Sequence, residues 1–220
     1  MIEYSDLLAT YETNLRLIRL GRNCDGGYVI PEELINDNLL TCGIADEISF
    51  EEDYIKMVKF PNIHCFDGTI ENFPSTNPLF SFHRKNIGKF DNDDTISLNT
   101  IFSCFFKNQK KVVLKMDIEG AEYESFSTLS QENLKKIDCM VLEMHDIDSK
   151  YNEFSSLMYK LNSELVLIHR HDNNSGGYFT YNNELFGRVY ELTFVNKRHV
   201  LNKNDNNLPI DGLDFPNVIF

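Results

Sequence analysis

Lys111-Val112-Val113-Leu114-Lys115-Met116-Asp117-Ile118-Glu119-Gly120-Ala121-Glu122 reads as strand, rim and helix start in twelve residues. The apolar run Val112 to Met116 is short enough for a buried strand. Two carboxylates follow at i and i+2, then a glycine, then helix-forming residues. In an open α/β sheet, ligands bind where strands end and helices begin. Asp117 and Glu119 are therefore acids placed where chemistry is expected. An ordinary helix N-terminus also favours acids there, because they complement its dipole.

Outward from this stretch, strand and helix patterns alternate. Strands are expected at Leu39 to Ile44, Ile63 to Phe66, Phe80 to His83, Cys139 to Met144, Leu165 to His169 and Val189 to Val195. Helices are expected over residues 3–18, 50–60, 98–106, 122–129 and 151–161. This spacing implies a largely parallel α/β sheet. The last two strands are joined by a Gly/Asn-rich loop without a helix, which implies antiparallel pairing at one end. Asp25-Gly26-Gly27 marks a tight turn or hairpin. We expect one domain over 1–220: a helix and hairpin cap (1–38), a core (39–200) and a C-terminal extension (201–220).

A formal charge of −13 without a basic block argues against nucleic acid, whose phosphates need clustered Lys and Arg. It argues equally against an anionic membrane surface. No apolar run approaches about 18 residues, and there is no apolar leader, so no membrane insertion and a cytoplasmic location are expected. The five scattered cysteines favour free thiols over a disulfide framework. The run Asp91-Asn92-Asp93-Asp94 reads as a solvated loop. Oligomeric state is not legible.

Several strand ends carry groups suited to chemistry. Gly43, in Thr41-Cys42-Gly43-Ile44-Ala45-Asp46-Glu47, lets a ligand approach the backbone, although the turn lacks the G-x-G-x-x-G pattern. Asp67, 24 positions later, stands where an acid commonly grips ribose hydroxyls; a turn-capping aspartate is the plainer reading. Glu143 and His145 share a face at the end of the strand beside Asp117. Asp117, Glu119, Glu143 and His145 can converge to place a general base beside a hydroxyl. Asp117, Glu143 and His145 can also hold a divalent metal. A hydrogen-bonded structural histidine is the alternative for His145. In the stretch from His169 to Tyr178, His171, Asn173 and Asn174 offer substrate contacts. Arg22, Asp25 and Tyr28 form a second candidate wall, with Arg22 available for a phosphate; both stretches also read as ordinary surface turns. Glu191 is an acid inside an apolar strand, with Arg170 as a candidate partner.

Taken in order, Asp-Gly-Gly-Tyr-Val-Ile-Pro (25–31), Gly-Ile-x-x-Glu-Ile-Ser-Phe-Glu (43–51), Phe-Asp-Gly-Thr (66–69), Leu-Lys-Met-Asp-Ile-Glu-Gly-Ala-Glu (114–122), Leu-Glu-Met-His (142–145) and Tyr-Glu-Leu-Thr-Phe-Val-Asn-Lys (190–197) resemble the FkbM-type S-adenosylmethionine-dependent methyltransferases. The likeness spans residues 15–200, and 114–122 is its most specific part. The resemblance implies an α/β, Rossmann-like class I methyltransferase fold. Its sheet would be mostly parallel and seven-stranded with one antiparallel strand, and helices would cover both faces. It further implies that Gly43 and its neighbours Cys42, Ile44 and Glu47 contact the methionine portion of the cofactor, with Gly68 and Asp117 also among its contacts. Asp67 would hold the ribose, and Asn86-Ile87 would lie near the adenine. Cys42-Gly43 departs from the acid-containing glycine-rich turn usual in class I enzymes. Family members modify hydroxyls, often on sugars. The expected substrate is accordingly a small-molecule sugar or nucleotide sugar, or a surface glycan of capsule or lipopolysaccharide type. A metal-dependent hydrolase or nucleotide-sugar enzyme on a similar sheet, or a non-catalytic binding subunit, is the competing expectation.

Overall fold

The computed structural model describes residues 3–200, 202–203, 210 and 212–218. Seven strands form its central sheet: β1 (Asn38–Cys42), β2 (Asn62–Phe66), β3 (Phe80–His83), β4 (Val112–Met116), β5 (Ile137–Met144), β6 (Leu165–Asp172) and β7 (Tyr190–Asn196). Their spatial order is β3-β2-β1-β4-β5-β7-β6. The pairs β1–β2, β1–β4, β4–β5 and β2–β3 are parallel. β7 runs antiparallel to both β5 and β6. This is the mostly parallel sheet with one reversed strand that a class I methyltransferase fold requires. β1 and β4 are sequence-distant neighbours, so a crevice opens at their carboxyl ends, the switch point where open α/β sheets bind ligands.

The inner strands read as largely apolar runs because both faces of the sheet are covered there. Alternate residues enter two separate cores. Leu40, Leu114, Met140 and Leu142 pack with helices α3 (Leu98–Phe105), α4 (Glu122–Ser127), α5 (Gln131–Leu134) and α6 (Tyr151–Leu161) through Phe102, Phe126, Leu134, Phe154 and Met158; α1 is the short helix Tyr4–Leu7. Leu39, Val113, Cys139 and Val141 pack on the other face with Phe50 and Tyr54 of α2 (Ser49–Met57) and with Tyr28 and Ile30. Each buried Leu, Phe or Met contributes about 1.5–3 kcal/mol. The cysteines are free, with Cys42, Cys65 and Cys139 buried in strands. Asp91 does more than solvate its loop: its carboxylate accepts from Ser97 N and Thr100 Oγ1, both at 2.6 Å, at the start of α3.

Two expectations are corrected. The helix over 3–18 is confined to Tyr4–Leu7. Tyr11–Glu12 instead pairs with Asn202–Lys203, and Leu17–Leu20 with Tyr28–Pro31. The apolar residues at 15, 17 and 18 serve a hairpin laid over the second core, and this tertiary pairing overrides the helical spacing. The Gly/Asn-rich connection before β7 holds a hairpin, Tyr178–Tyr181 with Glu184–Gly187. Asn182 and Asn183 both take positive φ at its turn (48° and 66°), the two-residue geometry asparagine tolerates. The extension expected over 201–220 lies in good part outside the described residues. Among the described residues, no helix is long and apolar enough to cross a membrane.

At the β2–β3 edge, His64 Nδ1 lies 3.0 Å from His83 Nε2, and His64 Nε2 lies 3.1 Å from Asn62 Oδ1. One proton per contact satisfies this chain with both rings neutral. Burial, then the proximity of His83, pushes His64 down to about 4; burial also lowers His83. The unfolded chain therefore binds more protons than the native one between pH 6.5 and 4, so stability is lost as pH falls through that window. Allowing for the rings' partial exposure, the pair's own contribution should fall by about 1.5 kcal/mol between pH 7.5 and 5, against the opposite slope of the raised Glu143 and His145. Urea unfolding of the wild type and of His64→Phe at the two pH values measures it as the difference between their pH slopes. Equal slopes in the two proteins would refute the assignment.

Candidate active site

The crevice begins with Gly43. Its N–H donates to Phe66 O at 2.9 Å, and Asp117 N–H donates to Cys42 O at 2.9 Å, tying the ends of β1, β2 and β4 together. A Cβ on Gly43 would sit 1.5 Å from the Asp117 carbonyl oxygen, and its φ is +81°. Only glycine fits both constraints. A cavity of about 320 Å³ opens here, bounded by Gly43 to Glu47, Asp67, Asn86, Ile87, Lys115, Asp117 and Ile118.

Asp67 holds the turn beneath this cavity. Its Oδ2 accepts from Ile44 N and Ala45 N, both at 2.9 Å, and its Oδ1 from Thr69 N at 2.7 Å and Thr69 Oγ1 at 2.6 Å. Burial pushes its pKa up, but these hydrogen bonds outweigh burial and hold the carboxyl below its ordinary range. Lys115 is 5% exposed; its ammonium donates to Gly43 O at 2.7 Å and stands 3.9 Å from Glu51. Burial opposes this charge, yet Glu51, Asp117 and Glu143 raise its pKa.

The acids and the imidazole meet beside that cavity. Tyr28 Oη lies 3.1 Å from Asp117 Oδ2 and 3.2 Å from Glu143 Oε2. Burial and the same two carboxylates raise the phenol's pKa well above normal, so it stays a donor. Asn173, 2% exposed, donates Nδ2–H to Glu143 Oε1 at 2.7 Å. His145 Nδ1 is 3.1 Å from Glu122 Oε1. That oxygen also accepts from Gly120 N at 3.1 Å. A proton on Nδ1 leaves Nε2 facing Glu119 at 3.4 Å, Glu143 at 3.7 Å and Asp117 at 4.0 Å. Burial, with Asp117 and Glu191 nearby, pushes Glu143 up to about 8. Burial works against charge on His145, but the Glu122 hydrogen bond and the surrounding carboxylates raise it to about 9.

This arrangement favours positive charge at one point. One donor atom each from Asp117, Glu143 and His145 lies within 4.8 Å of the others. Asp117 Oδ1 is buried without a hydrogen-bond partner among the described residues. Metal–ligand bonds of about 2.0–2.2 Å place neighbouring donors about 3–3.5 Å apart, near the spacings around Nε2. Glu122 supplies the partner that fixes the tautomer of a ligating histidine. The residues therefore fit a divalent cation as well as a proton.

A family model described as the methyltransferase FkbM domain matches residues 12–179. The chain belongs to this family. No curated protein matches the chain. Among solved structures, the chain is similar to a proposed RNA methyltransferase from Pyrococcus horikoshii, with 10% identity, TM-score 0.40, and 74% of this chain and 76% of the other covered. As an FkbM-domain protein it is a methyltransferase, and the family uses S-adenosylmethionine. The cavity's lining combines the polar groups of Asp67, Asn86, Lys115 and Asp117 with apolar Phe66, Ile87 and Ile118.

The sequence-predicted residues of this FkbM protein fall into three groups. Asp117, Glu119, Glu143 and His145 converge, and Tyr28 and Asn173 join them. Ile44, Glu47, Asp67 and Asn86 line the cavity with Gly43. The Asn86 amide lies on Gly68, where a Cβ would meet it at 2.5 Å. The Cys42 side chain points into the core, and only its carbonyl serves the crevice. Arg22 and Asp25 stand at the mouth, and Arg22 is paired with Glu47. His171 and Asn174 instead meet the chain's last described segment: His171 Nδ1 is 3.7 Å from Asp214, and Asn174 exchanges hydrogen bonds with Val218. Glu191 accepts from Asn217 at 2.5 Å, while Arg170 donates to Leu8 O. Sequence reasoning missed Lys115 and Glu122. A lysine inside a five-residue apolar strand was a readable signal for the first. For Glu122, nothing short of the fold places it under the imidazole.

Proposed function

We propose that this protein is an O-methyltransferase of the cytoplasm that acts on a hydroxyl of a sugar, carried on a nucleotide or a growing surface glycan. The observation that carries the reading is His145 Nε2, left free by the Nδ1 contact to Glu122 and set among three carboxylates beside the Gly43 cavity. S-adenosylmethionine, when bound, supplies an electrophilic methyl group. Lys115 and Asp117 take its charged head, and Asn86 and Ile87 border its base. Asp67 takes the ribose when Thr69 Oγ1 yields Oδ1 to a ribose hydroxyl. A sugar hydroxyl is a weak nucleophile and needs its proton accepted as the new bond forms. Nε2 is the group placed to accept it once the ring, raised to about 9 by its carboxylate neighbours despite burial, has given up its own proton, so turnover should climb as pH rises toward 9. Glu122, Asp117 and Glu143 hold and orient the ring. A divalent cation held by Asp117, Glu143 and His145 would make the hydroxyl more acidic.

Calorimetry with S-adenosylhomocysteine tests the cofactor. A screen of nucleotide sugars, read by mass for a gain of about 14 Da per transferred methyl, tests the reaction. Asp67→Ala should weaken S-adenosylhomocysteine about 10–100-fold, the scale of a lost charge-assisted hydrogen bond. Thr69→Ala should not weaken it. Unchanged affinity in Asp67→Ala would remove Asp67 from the cofactor. Methylation of a protein side chain, a nucleic acid or an apolar aromatic, with sugars inert, would overturn the acceptor.

A further inference from the structure

A second cavity, about 700 Å³, runs along the outer side of α4 and α6. Three ammonium groups line it: Lys89 from the segment before α3, Lys150 at the start of α6 and Lys160 near its end. Lys150 Nζ donates to Gly120 O at 3.2 Å, pairs with Asp146 at 3.3 Å and stands 5.1 Å from the Tyr123 ring centre. Lys160 Nζ donates to Ser127 O at 2.9 Å. Among the described residues, Lys89 and Lys160 have no carboxylate within salt-bridge distance, although Glu124 and Glu153 also line the groove. In a chain of 34 acids and 21 basic residues, most lysines could find an acid. Burial lowers the Lys160 pKa, as expected for an ammonium short of a counter-charge.

The groove adjoins the Gly43 cavity. Gly120 and Ala121 border the groove, and Ala121 and Glu119 border the cavity. Gly120 N–H bonds the same Glu122 oxygen that holds His145. Glu119 borders the Gly43 cavity and stands 3.4 Å from His145 Nε2, and Gly120, the next residue, borders the groove. An acceptor whose hydroxyl lies between Glu119 and His145 can therefore extend past Gly120 into the groove. Arg22, the first candidate for a phosphate, is already paired with Glu47.

We infer that the α4–α6 groove binds the diphosphate of the acceptor, with Lys89 and Lys160, the two lysines without a carboxylate partner among the described residues, as its cations. This rests on the sugar O-methyltransferase reading. Ammonium groups spaced along a cleft suit the spread charge of a diphosphate, and the attraction is screened by salt.

Calorimetry of the full chain with inorganic pyrophosphate and with UDP tests it, alongside S-adenosylhomocysteine. We expect pyrophosphate to bind the wild type and to weaken at least tenfold in Lys89→Gln/Lys160→Gln. Lys89→Arg/Lys160→Arg should retain it. Tighter binding of UDP than pyrophosphate assigns a nucleotide carrier; equal binding assigns the diphosphate whatever bears it. No binding by the wild type at millimolar concentration, or equal binding by the Gln variant, overturns the groove. S-adenosylhomocysteine should bind all three proteins equally. If it binds none while pyrophosphate behaves as expected, the methyltransferase reading falls and the anion site stands.

Discussion

His145→Ala should lower kcat by about 10²–10⁴-fold, the usual worth of a positioned general base, while S-adenosylhomocysteine affinity changes less than about threefold. The separation follows from geometry. His145 contacts Glu122, Glu119, Glu143 and Asp117, but it does not border the Gly43 cavity. Alanine also leaves Glu122, 0% exposed, without its imidazole partner, so part of any loss could come from the fold. His145→Gln keeps an amide N–H for Glu122 but offers no basic nitrogen. An equal kcat loss in both variants, with intact cofactor binding, identifies proton transfer or metal ligation as the lost function. Near wild-type turnover in His145→Gln would reduce His145 to a hydrogen-bonded structural histidine.

Chelation separates the two roles. If EDTA abolishes activity and added Mg²⁺ or Mn²⁺ restores it, Asp117, Glu143 and His145 act as ligands; hard oxygen donors with one imidazole suit such ions. Activity that survives full chelation leaves the acids as orienting groups. In that case the buried Glu143 matters through its hydrogen bonds from Tyr28 and Asn173 rather than as a ligand.

The alternation of short apolar strands with amphipathic helices was legible because both faces of the sheet's centre are covered, so its inner strands, β4 above all, print as apolar runs. The reversed strand was legible from the missing helix before it. The N-terminal 3–18 segment was not, because Leu7, Leu8, Tyr11, Leu15 and Ile18 fit a helical stripe, and only the partner strand Tyr28–Pro31 shows that Leu17–Leu20 belongs to a hairpin. At the site, the acids after β4 and β5 could be placed together because parallel neighbours end at one rim. His171 and Asn174 could not be separated from Asn173 by sequence. Adjacent strand-end residues look alike until the C-terminal segment claims two of the three.

Gly43→Ala should be the most damaging single-methyl change in the chain. A Cβ there would lie 1.5 Å from the Asp117 carbonyl oxygen and 3.3 Å from Ile118 Cγ2, at φ +81°. The backbone conformation alone costs about 1–2 kcal/mol for a residue other than glycine. The clash cannot be relieved by a rotamer, because the obstacle is backbone. Asp117 N–H is bonded to Cys42 O, so separating the two segments breaks the junction of β1 and β4 as well. We expect a total loss of about 3–5 kcal/mol in urea unfolding. S-adenosylhomocysteine binding should be lost even where the variant stays folded, because Lys115 Nζ is anchored on Gly43 O and Asp117 moves with its carbonyl. Gly177→Ala is the control: its φ is also positive (+72°), but a Cβ there meets nothing within 4 Å. It should show only the conformational cost and retain cofactor binding. Equal stability losses in the two variants would mean that β1 and β4 are not in backbone contact at this point, and the crevice proposed for the cofactor would have no floor.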